Sequence, residues 1–400
     1  MRRLPKSLSG EALKAAWSEG RDSRPSKSGA AGIDGVTANI FSGALNHHIS
    51  TIRNQLQNNS FSFSKLRIAP IPKPNGGHRI IAIPTVRDRL LQRAILKHLE
   101  HDAKFKAASK ISFGFTKGRT LSHAQMEAVK LRNQHPWVLS ADIVKFFDEI
   151  NRANLKGLIR KNVRCRIVSE ILCAAVDCEL DESSGLSKIA IENGIQKGRG
   201  LRQGMPVSPM LSNLVLRKFD EAIIQKHIKA IRYADDIIIF ADSKNECRDA
   251  LKFIISQLSK IDLKIPDLSD ESKTTIRGPS EAVEFLGVEI RRSEGDKYTL
   301  HLPDKKFAKI DSTMASYATV SSCFTHKRNI GHVVKYLDSF TAGYRSAMQV
   351  LTQKEEFGYR LEAMKRSRLE SLLIEILGKE TFSGLNEKHL AILGVRDFGN

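Results

Sequence analysis

The feature that most constrains this chain is a pair of adjacent carboxylates set between two apolar runs. Ile228–Arg232 and Ile237–Phe240 read as strands, and Tyr233-Ala234-Asp235-Asp236 lies between them as the turn of a hairpin. Acidic residues are depleted in strands, and two neighbouring aspartates repel each other unless something neutralises them. A second acid in strand context, Asp142, closes the apolar run Pro136–Ile143 and is followed by Phe146-Phe147-Asp148. A divalent metal would neutralise such a cluster. Mg²⁺ needs only a few carboxylates, because water and substrate phosphate complete its shell. Taken alone, the tetrapeptide is equally compatible with an ordinary polar hairpin turn.

The surrounding pattern is mixed. Residues 38–60 read as helical. Lys65–Pro72 and His78–Ile83 read as two strands joined at Pro74-Asn75-Gly76-Gly77. Thr85–Glu100 spaces Val86, Leu90, Leu91, Ile95 and Leu99 as an amphipathic helix. Asn151–Val176 reads as one long helix with Asn151 as its cap, and Ser208-Pro209 opens another, with Ser at the cap and Pro first inside. Glu246–Ile261 is a further helix, and Val283–Arg291 and Lys297–His301 are strands. From Pro303 onward the pattern is helical and basic. The chain therefore reads as α+β: a basic, loosely held arm over 1–30 with one short helical stretch around Glu11–Trp17, a mixed body over 31–301 and a helical segment over 302–400.

Composition narrows the partners. Lys and Arg number 64 against 44 Asp and Glu, a net charge of +20, as expected for a chain that lies along a polyanion. Five cysteines with no C-x-x-C pair support neither a disulfide framework nor a zinc ribbon, so free thiols in a reducing cytoplasm are expected. No apolar run is long enough to span a bilayer, and the basic N-terminus lacks the apolar core of a secretory signal.

The ordered set of short segments is more specific than any one of them. Gly32-Ile33-Asp34-Gly35-Val36-Thr37 comes first, then Ile71-Pro72-Lys73-Pro74-Asn75-Gly76 through Arg79, and Ile83-Pro84-Thr85-Val86-Arg87-Asp88-Arg89. Ser112-Phe113-Gly114-Phe115 with Gly118-Arg119 follows, then Asp142 with Phe146-Phe147-Asp148. Gln203-Gly204-Met205-Pro206-Val207-Ser208-Pro209, Tyr233-Ala234-Asp235-Asp236, Lys273-Thr274 and Phe285-Leu286-Gly287 complete the series. In this order the chain resembles a bacterial reverse transcriptase of the group II intron-like kind. The resemblance implies a right-hand polymerase with fingers and palm over 31–301 and a helical thumb after residue 302.

It also implies roles. Asp142 and Asp235 would be metal ligands, with Asp236 completing the cluster or serving only as a turn-stabilising carboxylate. Lys73 and Arg79, on the two arms of the fingers hairpin, would bind the incoming triphosphate, Arg as a fork and Lys as a point charge. An aromatic five positions after Asp142 closes against the sugar 2′ position in similar enzymes. Phe147 is the choice here, its neighbour Phe146 being the alternative, and one of the two belongs to the core. Gln203 and Gly204 precede a helix where backbone can approach a nucleotide closely. Lys273 resembles a late lysine that protonates the leaving pyrophosphate, though an ordinary surface lysine fits equally and the loop Pro266–Ser272 departs from the usual spacing.

Absences then narrow the kind of enzyme expected. No Cys/His metal array and no room for a maturase extension are seen after the thumb. The N-A-x-x-H and V-T-G elements of retron enzymes are missing, and Gln203–Pro209 ends in Ser-Pro rather than the Ser-Gln of diversity-generating enzymes. The chain looks most like the short, stand-alone, defence-associated reverse transcriptases of the unknown groups, especially type 2. That resemblance implies a cytoplasmic, monomeric ribonucleoprotein. It would use two Mg²⁺ ions and dNTPs to copy a structured non-coding RNA into cDNA during anti-phage defence. A group II intron-derived maturase or RNA-binding protein, and a template-independent DNA polymerase, are the alternatives.

Overall fold

A computed structural model describes residues 3–23, 30–73, 76–102, 104–293 and 295–395. The chain forms two compact units, one of Met1–Thr120 with Leu139–Ile276, the other of Leu121–Val138 with Arg277–Asn400. The folded units divide at Ile276/Arg277, and the second unit takes an earlier helix, Leu121–Gln134, that the sequence pattern did not announce.

In the first unit, β1 (Arg67–Pro72) and β2 (His78–Ile83) pair antiparallel, with Ile71 opposite Arg79 and Pro72 opposite His78. Pro74 and Asn75 of the expected turn lie outside the described residues. Thr85 caps the following helix, Val86–His101, by accepting from Asp88 N at 3.2 Å. The central sheet has the order β4-β5-β3-β6, formed by Lys229–Tyr233, Asp236–Ala241, Trp137–Asp142 and Thr275–Arg277. Ile231 and Ile237 through Phe240 are all buried, as expected where helices cover the sheet. Lys244–Ser259 packs on β5, and Ser208–Gln225 packs beside it and meets β4 through Asp220 and Arg232.

The N-terminal arm, expected to be loosely held, is packed over its described part. Leu13, Ala16 and Trp17 of the helix Gly10–Ser18 are buried, and the Trp17 ring lies 5.3 Å from Phe41. Asp22 is buried and accepts from Arg89 at 3.0 Å and from Arg93 at 2.5 Å. Burial alone would raise this carboxyl, yet the two guanidinium groups hold it below its ordinary value.

Other boundaries also shift. Asn151 does cap a helix, through Asn154 N at 3.1 Å, but Arg152–Asn162 ends where Val163 turns extended, and Arg166–Val176 is separate. Val207, not Ser208, is the cap of the Ser208–Gln225 helix. The Ser208 hydroxyl instead donates to Arg202 O at 2.7 Å.

In the second unit, the expected strand Val283–Arg291 is a hairpin. β7 (Val283–Phe285) and β8 (Val288–Arg292) turn at Leu286 and Gly287, both at positive φ, and β9 (Tyr298–His301) completes an antiparallel sheet. Arg132, fully buried on Leu121–Gln134, donates to Ile290 O at 2.6 Å and lies over the Tyr298 ring. Helices follow, the longest being Ile330–Ala347 and Lys354–Leu377. Residues 303–400 hold 15 Lys and Arg against 11 Asp and Glu, so this segment carries little of the net +20. Much of its positive charge is matched internally, as in Arg368–Asp311, Lys365–Asp338 and Arg345–Glu362. Among the described residues, no helix is long and apolar enough to cross a membrane.

Candidate active site

The adjacency of β5 and β3 brings the aspartates together. Asp235 sits in the two-residue loop between β4 and β5, Asp236 opens β5 opposite Tyr233, and Asp142 ends β3. Ile143 N donates to Asp235 O at 3.3 Å, tying the loop to the end of β3. Burial raises the Asp235 carboxyl, and Asp142 raises it further, while Lys273 and Arg79 pull the other way. Burial, Asp142 and Asp235 together push Asp236 up to about 6. The Lys273 ammonium contacts the Asp142 carboxylate directly. The geometry therefore gathers Asp142, Asp235, Asp236, Lys273 and Arg79 around one loop.

Among the described residues, no three His, Cys, Asp or Glu side chains already converge as a metal-holding group. The donors nevertheless fit a hard cation. They are all carboxylate oxygens, Asp142 raises both Asp235 and Asp236, and an ammonium already stands against Asp142.

The loop is held by a buried polar network that sequence reasoning missed. Arg232 and Asp220 are 1% and 0% exposed. Arg232 Nε and Nη2 reach Asp220 at 2.7 and 2.6 Å. Arg232 Nη1 donates to Asn213 Oδ1 at 3.1 Å and to Ala234 O at 2.8 Å. Ser112 donates to the same Asn213 oxygen, and Asn213 Nδ2 donates to Gly114 O at 2.9 Å. A Cβ on Gly114 would stand 2.5 Å from Ala234 N, so only glycine fits against the loop. Ala234 itself sits at φ +58, a left-handed backbone that the network must hold in place. The available signal was slight: an arginine inside an apolar strand, and an aspartate inside an apolar helix.

The remaining residues form a second arc. Phe146 is buried, while Phe147 is half-exposed with its ring 5.3 Å away. Leu201 N donates to Phe147 O at 2.7 Å, and Ala82 N donates to Gln203 O at 2.7 Å, so the loop 201–204 links Phe147 to β2. Gly204, at φ +112, packs closely on β2, where a Cβ would lie 2.5 Å from Ala82 O. Lys73 is exposed at the end of β1, and it and Arg202 offset the burial that raises Asp148. Arg79 is exposed on β2.

A family model described as reverse transcriptase (RNA-dependent DNA polymerase) matches residues 71–290. Protein YkfC of Escherichia coli K12 is 28% identical over 206 residues, 49% of this chain and 51% of that protein. The retron Ec83 reverse transcriptase of Escherichia coli is 30% identical over 193 residues, covering 46% of this chain and 54% of its own. The group II intron-encoded protein LtrA of Lactococcus lactis subsp. cremoris is 23% identical over 332 residues, 65% of this chain and 52% of LtrA. The chain thus spans about half the length of these curated relatives.

Proposed function

This chain belongs to the reverse transcriptase family, and on that premise we propose that it is an active RNA-directed DNA polymerase centred on Asp142, Asp235 and Asp236. The observation that carries the reading is the approach of Asp142, at the end of β3, to Asp235 and Asp236 at the β4–β5 turn, where Asp142 raises both carboxyls and Lys273 contacts Asp142. The family works with divalent metal ions. Asp142 and Asp235, with Asp236 beside them, would hold two Mg²⁺, which would neutralise charge on the attacking hydroxyl and the leaving pyrophosphate.

The chain's own residues supply position and selectivity. Arg79 and Lys73 orient the triphosphate, the first as a fork and the second as a point charge. Phe147, half-exposed and five residues after Asp142, would present an apolar wall that rejects a 2′-hydroxyl by overlap. Gln203 and Gly204 set the loop that joins this wall to β2. Lys273 holds a proton within reach of Asp142, placed to pass it to the leaving pyrophosphate.

In this reading the fingers and palm span about 31–301, and the helices after residue 302 act as a thumb on the template–primer duplex. The +20 charge supports a polyanionic partner, a structured non-coding RNA that is both bound and copied. The setting proposed is a cytoplasmic, monomeric ribonucleoprotein acting in anti-phage defence.

The test is direct. Purified protein with its co-purifying RNA, dNTPs and Mg²⁺ should make DNA that copies that RNA, and Asp235→Ala should make none. Equal yield from the variant, or product unrelated in sequence to any bound RNA, would overturn the proposal.

A further inference from the structure

Phe115 joins two features that a folded chain usually keeps apart. Its side chain is 51% exposed, and its backbone sits at φ +57. A bulky residue in the left-handed region is an outlier, and an exposed position of that kind is ordinarily filled by Gly or Asn. Nothing buried repays the choice, since half of the ring faces water.

The backbone around it is fixed from both sides. Phe113 N donates to Arg232 O at 2.8 Å, Gly114 O accepts from Asn213, and Thr116 Oγ1 donates to Ser112 O at 3.2 Å. Gly114 lies against Ala234 N of the acidic loop. The strain is thus over-determined by the same network that holds Ala234-Asp235, which is how strained backbone persists at working sites. The Phe115 ring lies 6.5 Å from Tyr233, tilted by 43°, directly before the carboxylates. Lys117 is exposed two residues further on.

We infer that Phe115 is a nucleic-acid-contacting residue. With Tyr233 it forms an aromatic step against the bases of the template–primer end seated at Asp235. The inference rests on the polymerase reading and adds to it a positioning contact that tolerates any sequence, because every base has a π-face. A residue kept for this purpose should be worse for the protein's own stability than the replacements that would relax it.

The test uses the full chain with an RNA template annealed to a DNA primer. Phe115→Ala and Phe115→Asn should each weaken heteroduplex binding about tenfold, and Phe115→Tyr should recover most of that loss. Phe115→Asn should melt at or above the wild-type temperature, since Asn accepts the left-handed backbone. Three results would overturn the inference: wild-type affinity in Phe115→Asn, a change confined to KM for dNTP, or a lower melting temperature in Phe115→Asn. Asp235→Ala separates this inference from the reading beneath it, because it should abolish extension while keeping heteroduplex affinity. A wild-type chain that binds the duplex through Phe115 but extends nothing would sink the polymerase and leave the contact standing.

Discussion

Two sets of acids lie on neighbouring elements of the first unit and are treated in opposite ways. Asp220 is completely buried and fully answered: Arg232 grips it with two nitrogens, and Ser109 donates to it at 2.8 Å. Burial raises Asp235 and Asp236, and among the described residues no guanidinium is hydrogen-bonded to them. They face Asp142 and one another instead, with Lys273 and Arg79 as partial offsets. A buried carboxylate that serves the fold is saturated by its own chain. One proposed to serve chemistry is left short of positive charge, which a cation from outside would supply.

The comparison breaks first at Asp235. Asp235→Asn removes a charge that its surroundings disfavour, so primer extension should fall by on the order of 10³-fold while the melting temperature stays level or rises. A clear drop in melting temperature would mean that the acid is structural and that the contrast with Asp220 is false.

Asp220 should behave in reverse. Asp220→Ala strands a buried guanidinium and should destabilise the protein by about 3–5 kcal/mol, visible in urea or thermal melts. Replacing both partners with apolar residues, as in Asp220→Leu with Arg232→Met, should recover much of that stability. Extension should remain impaired in the double variant, because the tether from Arg232 to Ala234 O is gone. Recovery of stability and rate together would show that the network does not position the loop.

Lys273 sharpens the contrast from the cation's side. Its side chain is 72% exposed, so Lys273→Met should scarcely change stability. Extension should fall by roughly 10²-fold if the lysine passes a proton. An unchanged rate would reduce Lys273 to a surface lysine that happens to rest on Asp142.

What could be read in the sequence follows from range. The Val86–His101 helix, the β1–β2 pair and the Tyr233–Asp236 turn are set by local spacing and turn chemistry, and they appear with small shifts of boundary. The meeting of Asp142 with Asp235 was legible only through the ordered set of motifs, since nothing local brings β3 beside β5. Arg232 and Arg132 were illegible for the opposite reason. A lone arginine in a strand or helix reads as solvated, and only the fold shows the acid or carbonyls that receive it. Gly204 shows a motif glycine with a packing duty that the sequence did not announce, as its freedom is used against Ala82. In the N-terminal arm the short helix around Glu11–Trp17 was legible, but the basic, Ser- and Gly-rich surroundings concealed that its apolar face and the acid Asp22 are buried.

The smallest expected effect lies in the second unit, where charge pairing is of a third kind. Arg366 donates to Glu370 at 3.0 Å one helical turn away on Lys354–Leu377, with side chains 42% and 32% exposed. Water screens such a pair, and holding two long side chains in one geometry offsets part of the attraction. Arg366→Ala should therefore change stability by no more than about 0.5 kcal/mol, and less in high salt. A loss several times larger, persisting in salt, would place this pair with Arg232–Asp220 rather than with surface helix pairs. Acids matched by basic residues on exposed helices would then belong to the load the fold depends on, and the line drawn here between answered and unanswered carboxylates would have to be redrawn by burial of the partner rather than of the acid.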